Sequence, residues 1–273
     1  THYGPLATRA YSVLDGLQTA LDGKADVSYA KGCELVDATW PDSEILPVPP
    51  SKDEMKQINQ AVRLARKSDV AVVVLGGGIR TCGENKSRSS LELPGHQELL
   101  LEKICATGTP VVLVLIGGRP MSVNWAAANV NAILEAWYPG THGGTAIAEA
   151  ILGDYNPGGK LTVTFPRSVG QIPFNFPYKP NSQVDGGKGT GPEGNQSRVH
   201  GALWDFGFGM SYTTFEYSDL KLSKEVMAPD DSVQVSFSVT NTGSVKGDEV
   251  VQLYIHDCLS SITVYERQLR GFE

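Results

Sequence analysis

No apolar run in this chain approaches the roughly 20 residues that cross a bilayer. The longest, around 70–75 and 111–116, each give way to glycine, so no transmembrane helix is expected. Basic residues are also scarce. Lys and Arg number 23 against 30 Asp and Glu, for a formal charge of −7. Beyond the short cluster Arg63, Arg66 and Lys67 there is no basic stripe, which argues against nucleic acid and suits a neutral partner better. The four cysteines, Cys33, Cys82, Cys105 and Cys258, show no C-x-x-C spacing and support neither a zinc site nor a disulfide framework. No Gly-x-Ser-x-Gly elbow is present, and the five histidines are scattered, so no Ser-His-Asp arrangement can be built. His200 stands somewhat apart, because its loop leads into the aromatic-rich run 204–212. No signal peptide is visible, but Thr1-His2-Tyr3-Gly4 reads as the interior of a loop, so that absence is uninformative.

What is present is an ordinary globular composition, 41% apolar and 8% aromatic in 273 residues, enough for one large or two ordinary domains. Val13, Leu14, Leu17 and Leu21 share a helical face over 11–21, with Gly23 as a stop and a strand expected over 25–30. Four prolines between 40 and 50 mark an extended loop. Ser51 and Glu54 then read as a capping box opening an amphipathic helix over 52–67. Strands at 70–75, 111–116 and 132–136 alternate with helices near 96–106 and 121–128, and Gly143-Gly144 and Gly153 bracket another helix. Continuous apolar strands between helices predict a mostly parallel α/β/α sandwich. Asn156-Pro-Gly-Gly159 turns the chain into 161–165, and 181–201 reads as a surface loop. After about Thr213 the period changes to two: Val233, Val235, Phe237 and Val239, then Val251, Leu253 and Ile255. This predicts an antiparallel β-sandwich. Such a sandwich needs about 7 strands in about 100 residues, so the roughly 60 left make it incomplete.

Gly76-Gly77-Gly78 follows a strand, yet the sixth position of a dinucleotide fingerprint is Thr81 and a polar loop comes next. Ile116-Gly-Gly-Arg-Pro120 is a second glycine-rich strand exit without a P-loop lysine pattern, and reads as a tight strand-to-helix turn. The polar loop at 84–97, Glu-Asn-Lys-Ser-Arg-Ser-Ser-Leu-Glu-Leu-Pro-Gly-His-Gln, is the most informative stretch. A carboxylate there can reach a substrate beyond the carboxyl ends of the strands.

That stretch resembles the loop of glycoside hydrolase family 3 that carries the catalytic acid. The resemblance continues through Ala136-Trp-Tyr-Pro-Gly140, His142-Gly-Gly144, the run 153–166 and the run 203–212. Residues 250–272 are similar to the fibronectin-III-like domain that follows in many β-glucosidases and β-xylosidases.

The resemblance implies a family 3 α/β domain over 1–212, lacking its first strand, then a partial fibronectin-III-like domain over 213–273. It implies part of a retaining exo-acting β-glycosidase that hydrolyses terminal β-linked sugars, β-glucosidase ahead of β-xylosidase. Glu84 would be the general acid/base, with Arg88 and His200 as substrate-binding candidates. Glu92 is the weaker rival carboxylate because it stands in Leu-Glu-Leu. The Asp nucleophile would lie in a TIM barrel preceding this segment, so the chain alone is expected to be inactive. The expected partners are an oligosaccharide or aryl glycoside substrate, the barrel domain and, because incomplete sheets leave open edges, a second copy of the chain. No metal or organic cofactor is required. Asn85-Lys-Ser87 is a formal glycosylation acceptor whose glycan would obstruct Glu84, so a periplasmic or secreted bacterial protein fits better. Two other readings stay open: a non-catalytic carbohydrate-binding or scaffold module, and a nucleotide-binding α/β protein.

Overall fold

The computed structural model describes residues 10–179 and 201–273. In the α/β part, helices α1 (Val13–Ala20) and α2 (Lys52–Ala65) precede strand β1 (Ala71–Gly76). Helix α3 (Gln97–Cys105), β2 (Val111–Ile116), α4 (Asn124–Asn129), β3 (Ala132–Trp137) and α5 (Gly143–Leu152) follow. The three strands pair in parallel in the order β1-β2-β3, from Ala71 opposite Val111 and Val112 opposite Ala132. Among the described residues β1 and β3 each pair on one side only.

Residues alternate across the sheet, and both faces are covered. Val72, Val114 and Leu134 face Val13 and Leu17 of α1 and Ile147 and Ala148 of α5. Val73, Leu75, Leu113 and Leu115 face Ile58 of α2, Leu101 and Ile104 of α3 and Ala126 of α4. Ile58, Leu101, Leu113, Val114 and Leu115 are sealed from solvent, each worth about 1.5–3 kcal/mol of transfer free energy. The result is the expected α/β/α arrangement. Helices α1 and α5 cross closely: a Cβ on Gly16 would stand 2.1 Å from the Gly144 carbonyl oxygen.

Several expectations shift. Residues 25–30 pair with no strand among the described residues, and Tyr29 is exposed to solvent. The helix expected from 121 begins at Asn124. Ser122 is held outside it instead, its N–H donating to the Leu91 carbonyl at 2.8 Å and its hydroxyl to the Pro166 carbonyl at 2.9 Å. Only half of the capping box at α2 forms. Ser51 Oγ accepts from Glu54 N at 3.1 Å, while the buried Glu54 carboxylate turns to His96.

Beyond α5, only the last residue of the 161–165 run joins a strand, β4 (Phe165–Pro166), paired antiparallel with β5 (Ala202–Trp204). The C-terminal part holds two antiparallel pairs, β6 (Phe215–Leu222) with β7 (Val235–Asn241) and β8 (Gln252–Ile255) with β9 (Gln268–Phe272). Asn156 joins the two parts: its side chain donates to the Lys246 carbonyl at 3.1 Å and accepts from Tyr212 N at 2.8 Å. A partly buried ion pair, Lys160 to Glu249 at 3.0 Å, lies in the same seam.

Candidate active site

The exits of β1, β2 and β3 converge at the carboxyl edge of the parallel sheet, where open α/β sheets bind ligands. The β1 exit is the longest. Gly76-Gly77-Gly78 leads into a turn and not into a helix N-terminus, and the buried Thr81 hydroxyl fills it, accepting from Gly78 N at 3.0 Å. The phosphate cradle of a dinucleotide site is therefore not formed there. Residues 83–86 then make a turn closed by Lys86 N donating to the Gly83 carbonyl at 3.2 Å. Asn85 takes its left-handed corner (φ 59°), a conformation asparagine tolerates. Glu84 sits at the head of this turn, exposed, beyond the carboxyl end of β1.

The rest of the loop is anchored. Leu91 and Leu93 are buried, and exposed Glu92 lies between them. Gln97, fully buried at the start of α3, ties the loop's return to the strand's end. Its Oε1 accepts from Gly76 N at 2.7 Å, and its Nε2 donates to the Gly76 and Leu35 carbonyls at 2.9 Å. His96 Nδ1 lies 2.9 Å from Glu54 Oε2, and its Nε2 donates to the Val48 carbonyl at 2.8 Å. A carbonyl only accepts, so that nitrogen carries a proton.

Arg88 is committed to the protein. Its Nε donates to Glu44 Oε1, its Nη2 to the Glu92 carbonyl at 3.0 Å, and its guanidinium lies over the Trp40 ring, 5.1 Å from the centroid. Glu44 Oε2 accepts from Ser89 N at 2.7 Å. Burial alone would raise the Glu44 pKa, but the Ser89 and Arg88 donors outweigh it and hold the carboxyl below its ordinary value. Arg88 and Glu84 thus lie in one loop with different surroundings. His200 falls outside the described residues.

The chain belongs to glycosyl hydrolase family 3. The model of the glycosyl hydrolase family 3 C-terminal domain matches residues 3–212. A β-xylosidase of Formosa agariphila is 42% identical over 271 residues, 99% of this chain and 35% of the relative. A periplasmic β-glucosidase of Salmonella typhimurium is 38% identical, covering 98% of this chain and 36% of the relative. Among solved structures, a β-glucosidase from Erythrobacter marinus superposes with a TM-score of 0.85 at 35% identity, covering 99% of this chain and 37% of that one. The chain therefore spans about a third of the length of these family 3 relatives.

Other parts of the family 3 chain show less chemistry. In the aromatic run 204–212, Trp204 packs against Phe165 (5.4 Å between centroids) and Phe206 stacks on Phe176 (4.5 Å), while Phe208 and Tyr212 are exposed. A groove of about 520 Å³ along the seam is lined by Phe206, Phe208 and Tyr254 among others, with no residue of the Glu84 loop. Among the described residues no group of His, Cys, Asp and Glu could hold a metal, and no helix is long and apolar enough to cross a membrane.

The sequence reading missed the supports of the site. Gln97 gave no signal beyond closing the Leu-x-Leu-Pro-Gly-His-Gln run, and Glu44 lies forty-four residues before the arginine it binds.

Proposed function

We propose that this chain is the part of a retaining exo-acting β-glycosidase that supplies the general acid/base, Glu84. The observation that carries the reading is the exposure of Glu84 on a turn at the carboxyl edge of the sheet, in a loop anchored through Arg88, Leu91, Leu93 and Gln97. In a retaining mechanism one carboxylate attacks the anomeric carbon while the other protonates the departing oxygen. The second then takes a proton from the water that frees the sugar. The two carboxyls stand about 5–5.5 Å apart, so a barrel carrying the Asp nucleophile must face the Glu84 turn. An oligosaccharide or aryl glycoside would lie between them, with β-glucoside favoured over β-xyloside. Arg88 acts by holding the loop, given its bonds to Glu44 and Glu92. A periplasmic or secreted setting agrees with a relative named as periplasmic.

The test is Glu84→Ala in the barrel-containing enzyme. Its kcat/KM should fall about 10²- to 10⁴-fold on substrates with poor leaving groups and far less on dinitrophenyl glycosides, which depart without a proton. Wild-type kinetics in Glu84→Ala, or the same loss in Glu92→Ala instead, would remove Glu84 from this role. A non-catalytic module would bind sugars and show neither effect.

A further inference from the structure

The turn that carries Glu84 is gripped at both ends by residues from the other two strand exits. Strand β3 ends on Trp137 in a left-handed conformation (φ 50°), uncommon for a bulky residue. Its N–H donates to Glu135 Oε1 at 3.0 Å. The chain then places the Tyr138 ring over the β2 exit. A Cβ on Gly118 would stand 2.6 Å from Tyr138 Cε2, 3.1 Å from its hydroxyl and 2.8 Å from Cys82 Sγ. Only glycine leaves room for both side chains. The Tyr138 hydroxyl and the Cys82 sulfur, two residues before Glu84, crowd the same glycine, and burial together with the Cys82 interaction pushes the phenol up to about 12. Arg119, next to Gly118, donates from Nη2 to the Lys86 carbonyl, two residues after Glu84.

Resting on the reading of Glu84 as acid/base, we infer that Tyr138 and Arg119 are positioning residues that clamp the two ends of the Glu84 turn. Tyr138 acts through Cys82 and Arg119 through the Lys86 carbonyl. Neither needs to touch the sugar. The turn's backbone is fixed at these two points, so losing either anchor would let the carboxyl spread over a wider range of positions. Proton donation is sensitive to that spread, since a misplacement of about 1 Å can cost about 10²-fold.

The experiment measures kcat/KM in the barrel-containing enzyme across aryl β-glycosides running from dinitrophenol to phenol as leaving group. Tyr138→Phe keeps the ring and removes the donor. It should lose about 10-fold on the phenyl glycoside and less than about 2-fold on the dinitrophenyl one. Cys82→Ala should reproduce that slope, Cys82→Ser, which keeps an acceptor, should restore much of it, and Arg119→Met should steepen it as Tyr138→Phe does. A merely structural role would lower the active fraction and reduce every substrate by one common factor. A uniform loss, or no loss, while Glu84→Ala shows its own leaving-group dependence overturns the clamp alone. Absence of that dependence in Glu84→Ala overturns both the acid/base reading and the clamp.

Discussion

Arg88 and Glu44 form a buried ion pair inside the candidate site's loop, their side chains only 5% and 7% exposed. The pair fastens 84–92 to the segment around the short 3-10 helix Asp42–Glu44. Buried pairs stabilise little relative to an apolar replacement, but breaking one by removing a single partner costs about 3–5 kcal/mol because the other charge stays buried. Arg88→Met should therefore lower the denaturant midpoint of this chain strongly, and Arg88→Met with Glu44→Leu should recover much of the loss. Because Glu44 titrates below its ordinary value when folded, its contribution is present above that ordinary value and fades as pH falls through the folded one. Arg88→Met should flatten that acid limb. Equal stability of Arg88→Met and wild type across pH would show that the pair does not hold the loop.

The close crossing of α1 and α5 gives a second stability test. A methyl on Gly16 would overlap the Gly144 carbonyl, and one on Gly144 would fall 1.9 Å from the Ser12 carbonyl oxygen. Both neighbours are backbone, which cannot rotate aside, so the helices would have to separate. Gly16→Ala should cost at least about 1–3 kcal/mol, despite the higher helix propensity of alanine, as measured by chemical denaturation. Gly23→Ala, where no atom lies within 4 Å but φ is +68°, serves as a control for strain without overlap.

The sheet was legible in the sequence because its signal is local. The unbroken apolar runs at β1 and β2, too short for buried helices and each followed by glycine, read as strands, and the glycines and prolines between them mark where the chain turns. The candidate Glu84 was legible only through the resemblance of its loop to family 3, carried by Glu84, Arg88, Leu91, Leu93, Pro94 and Gly95 in order. Long-range partners left no trace. Glu54 looked like the second half of a capping box, and only the tertiary fold shows His96 competing for it. Ser12 and Asp15 do form a full box at α1, with Asp15 Oδ2 accepting from Ser12 N at 2.8 Å and Ser12 Oγ accepting from Asp15 N at 3.1 Å. Residues 25–30 read as a strand but pair with none among the described residues, which no local pattern reveals.

Azide supplies a product-based check on Glu84. In the second half of a retaining reaction the general base activates water, whereas azide is already anionic and needs no base. Glu84→Ala in the barrel-containing enzyme should regain turnover on a dinitrophenyl glycoside when azide is added, and form a β-glycosyl azide. Wild type should form little of it. Detection by NMR of hydrolysis product alone, with no azide adduct and no rate gain, would place the base elsewhere.

Glu135 gives the pH test of the strand end that presents Tyr138. Burial pushes its carboxyl up to about 7, opposed by the bond from Trp137 N, and its Oε2 is buried without a partner among the described residues. In the unfolded chain the group titrates near its ordinary value, about 4.3. Between those values the folded protein keeps a proton that the unfolded chain has lost, so stability falls as pH rises through this window. The accumulated cost by neutral pH is on the order of 3 kcal/mol. Glu135→Gln keeps the acceptor for Trp137 and has no charge to bury. Its stability relative to wild type should therefore rise steadily from about pH 4.5 to 7 and stay level on either side, whatever constant offset the new amide introduces. Urea denaturation at a series of pH values reads this directly, because an offset moves all points together and only a titrating Glu135 bends the difference. A difference that stays flat through that window would mean that the carboxyl is ionised in the folded chain and that its buried oxygen has found a partner.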